Sequence, residues 1–364
     1  MSITQSLAIP AKKFLSSIAI VTTAVGLSAC QEETILTPEQ FGNTENGAFT
    51  TDGTYYFASD LTNPNKPSTI VELQWDGNAY SGKIVAEGHF DGKDCDFNGL
   101  TAYEDILYAA CGFVPEDTGG LLPTGGSSAL VRIDTNKTSS DADYIQHVPL
   151  LGESALPNGM AADKNGDLYI TNSQSWLTTY TLGGVTPAIV KVSVDDTNGF
   201  SISQEPWYYP GLMDKFPNGI RVTDEHVYFV NGRELKRFNI REDGSAGTDL
   251  VLYSSPACGL MDDFDIADNG YIVTSELTSN DALLMSILWP GYPCALGQNE
   301  GFLVGINGNG LGGKLGKYAY ENGTVPSSVL ITTDAASTKY PSLQLQSIIS
   351  TAYFSGGIQT VYTD

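Results

Sequence analysis

Five oxygen-bearing side chains recur at one position of a repeated pattern along this chain. Each stands seven or eight residues before a tight turn that leads into a run of strand-forming residues. Carboxylate and amide oxygens are the ligands that Ca²⁺ prefers, whereas Zn²⁺ and copper favour His and Cys. The two carboxylates in the set would neutralise one divalent ion. The five residues are Glu45, Asn98, Asn158, Asn218 and Asp262.

The segment from Leu156 to Ser173 shows that these residues do not form the turns themselves. Its sequence, LPNGMAADKNGDLYITNS, contains Asn-Gly at Asn158 and again at Asn165. The second pair lies between two strand-like runs and therefore predicts the hairpin turn. Asn158 stands before the first of those runs, so we expect it to open a strand.

The repeated unit predicts an all-β fold, a six-bladed β-propeller. Its copies include LPNGMAADKNGDLYITN, FPNGIRVTDEHVYFVNG and MDDFDIADNGYIV, and segments such as ALVRID and AIVKVSV supply third strands. A sixth, looser copy begins near residue 346. Most copies start about 45 to 60 residues apart, which suits a four-stranded blade. Two β-sandwiches would not explain one position that recurs in register.

In such a propeller the first strand of each blade lines the central channel. We therefore expect the five oxygen-bearing residues to converge at one mouth of the axis. Without a metal, Glu45 and Asp262 would face each other there uncompensated, which is costly away from water. The alternative is that the Asn-Gly pairs only suit close packing, which leaves the two acids unexplained. The segment from Glu33 to Pro38 is expected to supply the outer strand that closes blade six.

The repeats around Asn158, Asn218 and Asp262 resemble the senescence marker protein and gluconolactonase family, with the related paraoxonases and diisopropyl fluorophosphatases. The resemblance covers most of residues 45 to 280 and implies a propeller with a catalytic divalent metal on its axis. The family's metal ligands fall on Glu45, Asn158, Asn218 and Asp262. We expect Ca²⁺ in preference to Mg²⁺, Mn²⁺ or Zn²⁺. The implied activity is hydrolysis of a small-molecule lactone, a related ester or a phosphotriester.

Asp262 is the predicted catalytic residue, as a nucleophile or as a general base. The paraoxonases carry a His at the mouth of blade two, where this chain has Asn98, and no His stands at a repeated position. Asp263 should face the other side of the strand. Two further functions stay open: a non-catalytic propeller that binds a protein or glycan, and a condensing enzyme that resembles strictosidine synthase.

Asn98 and Trp289 are the predicted substrate-binding residues. Trp289 lies in a loop insertion from Ser286 to Gln298 that could cover the channel mouth. Together with Trp207 and Tyr208 it could wall an apolar pocket. These aromatic side chains could instead pack between blades.

The N-terminal segment reads as an export signal. Lys12 and Lys13 precede an apolar run from Phe14 that is too short to span a bilayer comfortably. The run ends in LSAC, which resembles the lipobox of bacterial lipoproteins and makes Cys30 the expected lipidated residue. The expected domains are a signal peptide at 1–29 and a propeller at 30–364. Gln31 favours the outer membrane, and the alternative is an ordinary secretory signal.

The chain is strongly acidic, with 18 Lys and Arg against 42 Asp and Glu. Removal of the signal takes two of the basic residues, so the net charge changes from −24 to about −26. Such a field repels nucleic acid, and no DNA or RNA partner is expected. We expect a monomer in the bacterial cell envelope whose membrane contact is its lipid anchor.

Four cysteines remain after the signal, and export permits disulfides. Cys95 precedes the first strand of blade two, and Cys111 ends the second. Because antiparallel strands bring the start of one beside the end of the next, we expect a Cys95–Cys111 disulfide. That pairing leaves Cys258 with Cys294.

Overall fold

The described part of the chain is built almost entirely of strands. The computed structural model describes residues 30–61, 66–112, 128–150, 156–173, 175, 186–197, 199–211, 216–256, 259–278, 300–308, 313–320, 325–341, 343–344, 347–352 and 357–363. These residues form six four-stranded antiparallel sheets, and the predicted six-bladed β-propeller is confirmed. Neither helix of this part is long or apolar enough to cross a membrane.

The first half of the chain forms an N-terminal strand and three blades. It opens with β1 (Cys30–Leu36) and α1 (Pro38–Phe41). Blade one contains β2 (Thr44–Phe49), β3 (Tyr55–Ser59), β4 (Thr69–Trp75) and β5 (Tyr80–Glu87). A hairpin follows, formed by β6 (His89–Phe90) and β7 (Lys93–Asp94). Blade two contains β8 (Asp96–Tyr103), β9 (Ile106–Gly112), β10 (Ser128–Asp134) and β11 (Ile145–Leu150). Blade three contains β12 (Pro157–Ala162), β13 (Leu168–Asn172), β14 (Ile189–Asp195) and β15 (Ser201–Tyr208).

The second half forms the other three blades. Blade four contains β16 (Ile220–Val222), β17 (His226–Val230), β18 (Glu234–Ile240) and β19 (Ala246–Ser254). Blade five contains β20 (Leu260–Ile266), β21 (Tyr271–Thr278), β22 (Glu300–Asn307) and β23 (Lys314–Tyr318). Blade six contains β24 (Ser328–Ile331), α2 (Asp334–Lys339), β25 (Ile348–Thr351) and β26 (Ile358–Thr363).

The N-terminal strand closes the ring, as predicted. Strand β1 pairs antiparallel with β26 and becomes the outer strand of blade six, with Glu33 opposite Thr360. The observed strand starts three residues before the predicted segment and ends at Leu36. Both ends of the chain therefore belong to one blade, and their pairing closes the ring.

The predicted register of blade six is wrong. The copy near residue 346 was expected to supply the first strand, but β25, which starts at Ile348, is the second strand. The first strand is β24, and α2 is inserted between the two. The Thr333 hydroxyl caps α2 by accepting a hydrogen bond from the Ala336 N–H. This insertion replaces the tight turn that marks the other copies and therefore hides the repeat.

The first strands of the six blades pack against one another around the axis. Each runs from the mouth that carries the repeated oxygen-bearing residues, here called the upper mouth, to the opposite or lower mouth. The lower mouth opens into a cavity of about 820 Å³. It is lined by residues at or beyond the far ends of these strands, including Phe49, Glu104, Asp268 and Thr333.

Aromatic side chains fill the space between blades three and four. The Trp207 ring is 8% exposed and meets Tyr169 edge-on, with ring centres 5.4 Å apart. On its other side it meets Phe238 at 5.9 Å, and Tyr208 packs on Phe238 at 4.6 Å. Trp207 and Tyr208 therefore pack between blades and do not wall a pocket at the mouth.

Candidate metal centre at the propeller axis

The five oxygen-bearing residues lie at the upper ends of the first strands. Glu45 and Asn158 are the second residues of β2 and β12, and Asn98 and Asp262 are the third residues of β8 and β20. Asn218 lies two residues before β16 begins. In blades one to five, the predicted oxygen-bearing residue therefore lies at the same mouth of the channel.

A β-bulge lies at this position in four blades. The pairing register shifts between Glu45 and Gly47, between Phe97 and Gly99, between Pro157 and Met160, and between Met261 and Phe264. A bulge bends the strand and turns a side chain away from the regular alternation. Regular strand alternation predicts where these residues lie but not the bulges that turn their side chains toward the axis.

The glycines after the repeated residues are required by close approach between blades. A Cβ on Gly159 would stand 2.4 Å from the carbonyl oxygen of Asn218, and one on Gly99 would stand 2.1 Å from that of Asn158. Blade one has Asn46 in the glycine position, at φ 50°, and its Nδ2 donates to the matching carbonyl of blade two. The glycine of each Asn-Gly pair thus serves packing, while the Asn side chain remains available at the mouth.

A hydroxyl on the second strand satisfies the bulge in blade three. The Thr171 Oγ1 accepts from the Gly159 N–H at 2.8 Å and donates to the Asn218 carbonyl at 2.7 Å. It therefore supports the bulge of its own blade and fixes the backbone of the next repeated residue. Thr171 is not among the predicted site residues, although a Thr or Ser at the end of the second strand recurs in YITNS and YIVTS.

The same arrangement in blade five identifies the sixth position. The Ser275 Oγ accepts from the Asp263 N–H at 3.0 Å and donates to the Ser327 carbonyl at 3.2 Å. Ser327 therefore takes in blade six the place that Asn218 takes in blade four. The sixth position carries a hydroxyl and lies about twenty residues before the predicted copy near residue 346.

Two of the predicted ligands contact each other directly. The Asn218 Nδ2 donates to Asp262 Oδ1 across the boundary between blades four and five. The Asn158 Nδ2 donates to Ser173 Oγ at 3.1 Å, while its Oδ1 is buried with no hydrogen-bond partner among the described residues. A buried amide oxygen without a donor is costly and marks a place where a ligand would be stabilised.

The two carboxyl groups are electrostatically uncompensated. Burial, and then the charges of Asp262 and Asp263, raise the pKa of Glu45 well above its ordinary value. Burial and the charge of Asp263 raise the pKa of Asp262 to about 7, although the hydrogen bond from Asn218 opposes the shift. Within the described residues neither Glu45 nor Asp262 forms an ion pair. A cation between them would relieve both penalties.

The residues present therefore fit a hard divalent cation. The set offers two carboxylates, the orphaned Asn158 oxygen and the Asn218 amide, all of them oxygen donors suited to Ca²⁺. Across the described residues no group of three or more His, Cys, Asp and Glu side chains is arranged to hold a metal ion, so any such site would depend on the Asn oxygens as well. Glu45, Asn158, Asn218 and Asp262 are the side chains that could hold the ion.

Three of the other predicted site residues, Asn98, Cys95 and Cys111, lie within the described part of the chain. Asn98 lies at the upper mouth, and its Nδ2 is buried with no partner among the described residues. Cys95 and Cys111 form a disulfide, with Cα atoms 5.5 Å apart, which is the pairing expected from the sequence. Trp289, Cys258 and Cys294 lie outside the described residues.

Comparison with known proteins supports the fold and no finer statement. No protein-family profile and no curated protein sequence matches the chain. A gluconolactonase from Xanthomonas campestris aligns with a TM-score of 0.53 and 16% identity, over 93% of this chain and 91% of that one. A putative gluconolactonase aligns with a TM-score of 0.53 and 11% identity, over 93% of each chain. A streptogramin B lyase gives 0.49 and 12%, over 92% and 98%. The chain is thus similar in fold to gluconolactonase propellers.

Proposed function

We propose that this protein is a calcium-dependent hydrolase that opens a lactone or a related ester at the upper mouth. The observation that carries the proposal is the pair of uncompensated carboxyl groups, Glu45 and Asp262, beside the unsatisfied Oδ1 of Asn158. The gluconolactonase folds among the structural neighbours support a lactone as the first substrate class to test.

Four side chains would hold the ion. Glu45 and Asp262 supply two negative charges, and Asn158 supplies its buried Oδ1. Rotation of the Asn218 amide about its last torsion exchanges Nδ2 for Oδ1, so the same side chain could offer oxygen to a cation. When bound, the ion would polarise the carbonyl oxygen of the substrate as a Lewis acid.

Asp262 would move the proton of the attacking water. Its carboxylate takes a proton from the water as the water oxygen bonds to the carbonyl carbon. The ring carbon–oxygen bond then breaks, and the proton passes to the departing alkoxide, which leaves a hydroxy acid. Direct attack by Asp262 on the carbonyl carbon is the alternative. In a single turnover in ¹⁸O-water, direct attack alone would place the label in Asp262.

Asn98 would bind the substrate. Its buried Nδ2 is a donor without a partner among the described residues, and a carbonyl or hydroxyl oxygen of the substrate would satisfy it. Trp289 remains a proposed apolar contact at the same mouth.

Metal analysis joined to a substrate panel tests the proposal. Elemental analysis of the purified protein should find a bound divalent ion, and ring opening of one or more lactones should stop in excess chelator. Aryl esters and phosphotriesters complete the panel. A bound ion with no turnover of any substrate would favour the non-catalytic binding propeller. A protein that holds no ion would overturn the proposal.

We also propose that the mature chain is anchored in the outer membrane through a lipid on Cys30. Strand β1 runs antiparallel to β26, which runs antiparallel to β25, which runs antiparallel to β24. The first residue of β1 therefore lies at the lower end of blade six, and Asp262 would face away from the bilayer. Wild type should enter the detergent phase in a phase separation and Cys30→Ser the aqueous phase. A wild type that stays aqueous would contradict the anchor.

A further inference from the structure

Arg221 is a buried cation directly below the proposed metal centre. Only 19% of its side chain is exposed, and all five of its N–H donors have acceptors. Its Nε donates to Asp265 Oδ1 at 3.1 Å, and Nη1 and Nη2 each donate to one oxygen of the Asp263 carboxylate at 3.2 Å. The other two donors reach the carbonyls of Ile220, at 2.8 Å, and Val329, at 3.2 Å.

The carboxylate of Asp263 is fully committed to this cluster. Its side chain is 6% exposed, and its Oδ2 also accepts from the Ser328 Oγ at 2.7 Å. The cluster therefore joins β16, β20 and β24, the first strands of blades four, five and six. A planar guanidinium that holds a carboxylate through two parallel bonds gives a fixed geometry that an ammonium cannot reproduce.

Asp262 precedes Asp263 in the chain but takes no part in the cluster. The two carboxyl groups stand on one bulged strand, one paired with Arg221 and the other turned to Asn218. Asp263 follows Asp262 directly in the bulge of β20, so its charge acts at short range on any ion that Asp262 would hold. Whether Asp263 is neutralised therefore matters to any ion bound above it.

We infer that Arg221 limits the charge of the axial centre to the two carboxylates of Glu45 and Asp262, and thereby makes the centre selective for a divalent over a trivalent cation. This inference rests on the proposed metal centre and adds a residue that determines its specificity. Arg221 acts without touching the ion. Its guanidinium, which Asp263 and Asp265 share, offsets the charge of Asp263, the carboxylate that follows Asp262 in the chain.

The charge of the ion decides how strongly it responds to the loss of Arg221. Electrostatic attraction grows in proportion to the charge of the ion, so an uncancelled Asp263 helps a trivalent ion more than a divalent one. Partial burial keeps solvent screening low at this depth. We expect the preference for Tb³⁺ over Ca²⁺ to rise about tenfold or more when the guanidinium charge is removed.

The test is the ratio of the Tb³⁺ and Ca²⁺ dissociation constants, measured by titration on each variant. Arg221→Gln should shift the ratio toward Tb³⁺, whereas Arg221→Lys, which keeps the charge, should stay near wild type. The double variant Arg221→Gln with Asp263→Asn removes both charges and should restore the wild-type ratio. Arg132→Gln is the matched control. Arg132 lies in the third strand of blade two, away from the axis, and pairs with Asp196, which follows β14 of blade three.

A merely structural role for Arg221 predicts a different pattern. Misplaced ligands would weaken both ions in proportion, so an unchanged ratio in Arg221→Gln would overturn the inference. If that variant does not fold, Asp263→Asn tests the opposite change. It leaves Arg221 paired with Asp265 alone, makes the cluster one charge less negative, and should shift the ratio toward Ca²⁺. A shift toward Tb³⁺ there would also overturn it. A wild type that binds neither ion removes the proposed metal centre itself, and that outcome is distinct from bound ions with an unchanged ratio.

Discussion

The lower and upper mouths of the channel treat carboxyl groups in opposite ways. At the lower mouth, Asp52 accepts hydrogen bonds from the Thr54 N–H at 3.0 Å and from the Lys339 Nζ at 2.6 Å. Burial would raise the pKa of Asp52, but these bonds lower it below its ordinary value. In the turn between β12 and β13 of blade three, Asp163 accepts a hydrogen bond from the Asn165 N–H at 2.8 Å. Here the protein supplies its own partners, and the carboxylates stabilise turns.

At the upper mouth no cationic side chain pairs with Glu45 or Asp262 among the described residues. Glu45 and Asp262 are half-buried, and the pKa of each is raised. Acidic side chains therefore stabilise turns at the lower mouth, whereas at the upper mouth they are available to bind a cation. Acidic side chains occur at both mouths, so composition alone does not locate a cation site. The difference in their pairing indicates that a cation would bind at the upper mouth.

The largest expected effect is the loss of hydrolysis in Asp262→Asn. The amide keeps an oxygen for the ion but cannot accept the proton of the attacking water, so kcat/KM should fall by roughly 10²–10⁴-fold. Asp268→Asn is the matched change at the lower mouth and should leave kcat/KM unchanged. Equal activity of Asp262→Asn and wild type, with the ion still bound, would show that Asp262 does not move the proton in hydrolysis.

Calcium should stabilise the protein through the upper mouth alone. A ligand at about 1,000 times its dissociation constant adds about 4 kcal/mol to the free energy of unfolding. Chelation should therefore lower the melting temperature of the wild type. Asn158→Ala and Asn218→Ala should reduce this response, whereas Asn269→Ala, in a lower-mouth turn, should keep it. Identical melting curves for wild type with calcium and with chelator would contradict the prediction.

The disulfide at the upper end of blade two should contribute somewhat less. Cys95 and Cys111 are separated by 16 residues, and a closed loop of that length is worth about 3 kcal/mol. The paired change Cys95→Ala with Cys111→Ala should lower the free energy of unfolding in urea by that order. A difference below about 0.5 kcal/mol would show that blade two does not depend on the covalent link.

Calcium affinity should depend on pH at the upper mouth. The folded-state pKa of Asp262, about 7, lies above its ordinary value of 3.8, so the ion-free protein holds a proton there that the unfolded chain releases. The stability of the ion-free protein should therefore fall as pH rises from about 4 to about 7. Calcium must displace that proton, so its dissociation constant should rise up to about tenfold per unit as pH falls below 7. A constant affinity between pH 5 and pH 8 would show that Asp262 is not a ligand.

The sequence predicted what depends on local pattern. Strand–turn–strand units recur because each blade repeats the same alternation and the same turn chemistry, so the fold and the closing strand could be derived. The repeated position also could be derived, because Glu45, Asn158, Asn218 and Asp262 stand in register with their turns. These predictions required no knowledge of distant contacts.

The remaining features depend on contacts that alternation does not encode. The bulges insert an extra residue, and in blades three and five its N–H bonds to a hydroxyl of the second strand, as Gly159 does with Thr171. Arg221 carries no sequence signal, since its acceptors lie in blades five and six. The first strand of blade six was misplaced because α2 interrupts the unit. Only the partners of Arg221 are remote in sequence, whereas the bulges and α2 are local departures from the repeated pattern.

The smallest expected effect belongs to Asp52→Asn and sharpens the contrast between the mouths. The side chains of Asp52 and Lys339 are 58% and 38% exposed, so their ion pair is solvent-screened and worth less than about 1 kcal/mol. Asn retains an acceptor for the Thr54 N–H, which limits the loss further. Because the pKa of Asp52 is lowered in the folded state, the difference from wild type should be present at neutral pH and disappear in acid, where the wild-type carboxyl is protonated. Urea unfolding at neutral and acidic pH, with calcium titration of the same variant, measures both parts. The calcium dissociation constant should equal that of wild type, and a change in it would mean that the two mouths are coupled through the channel.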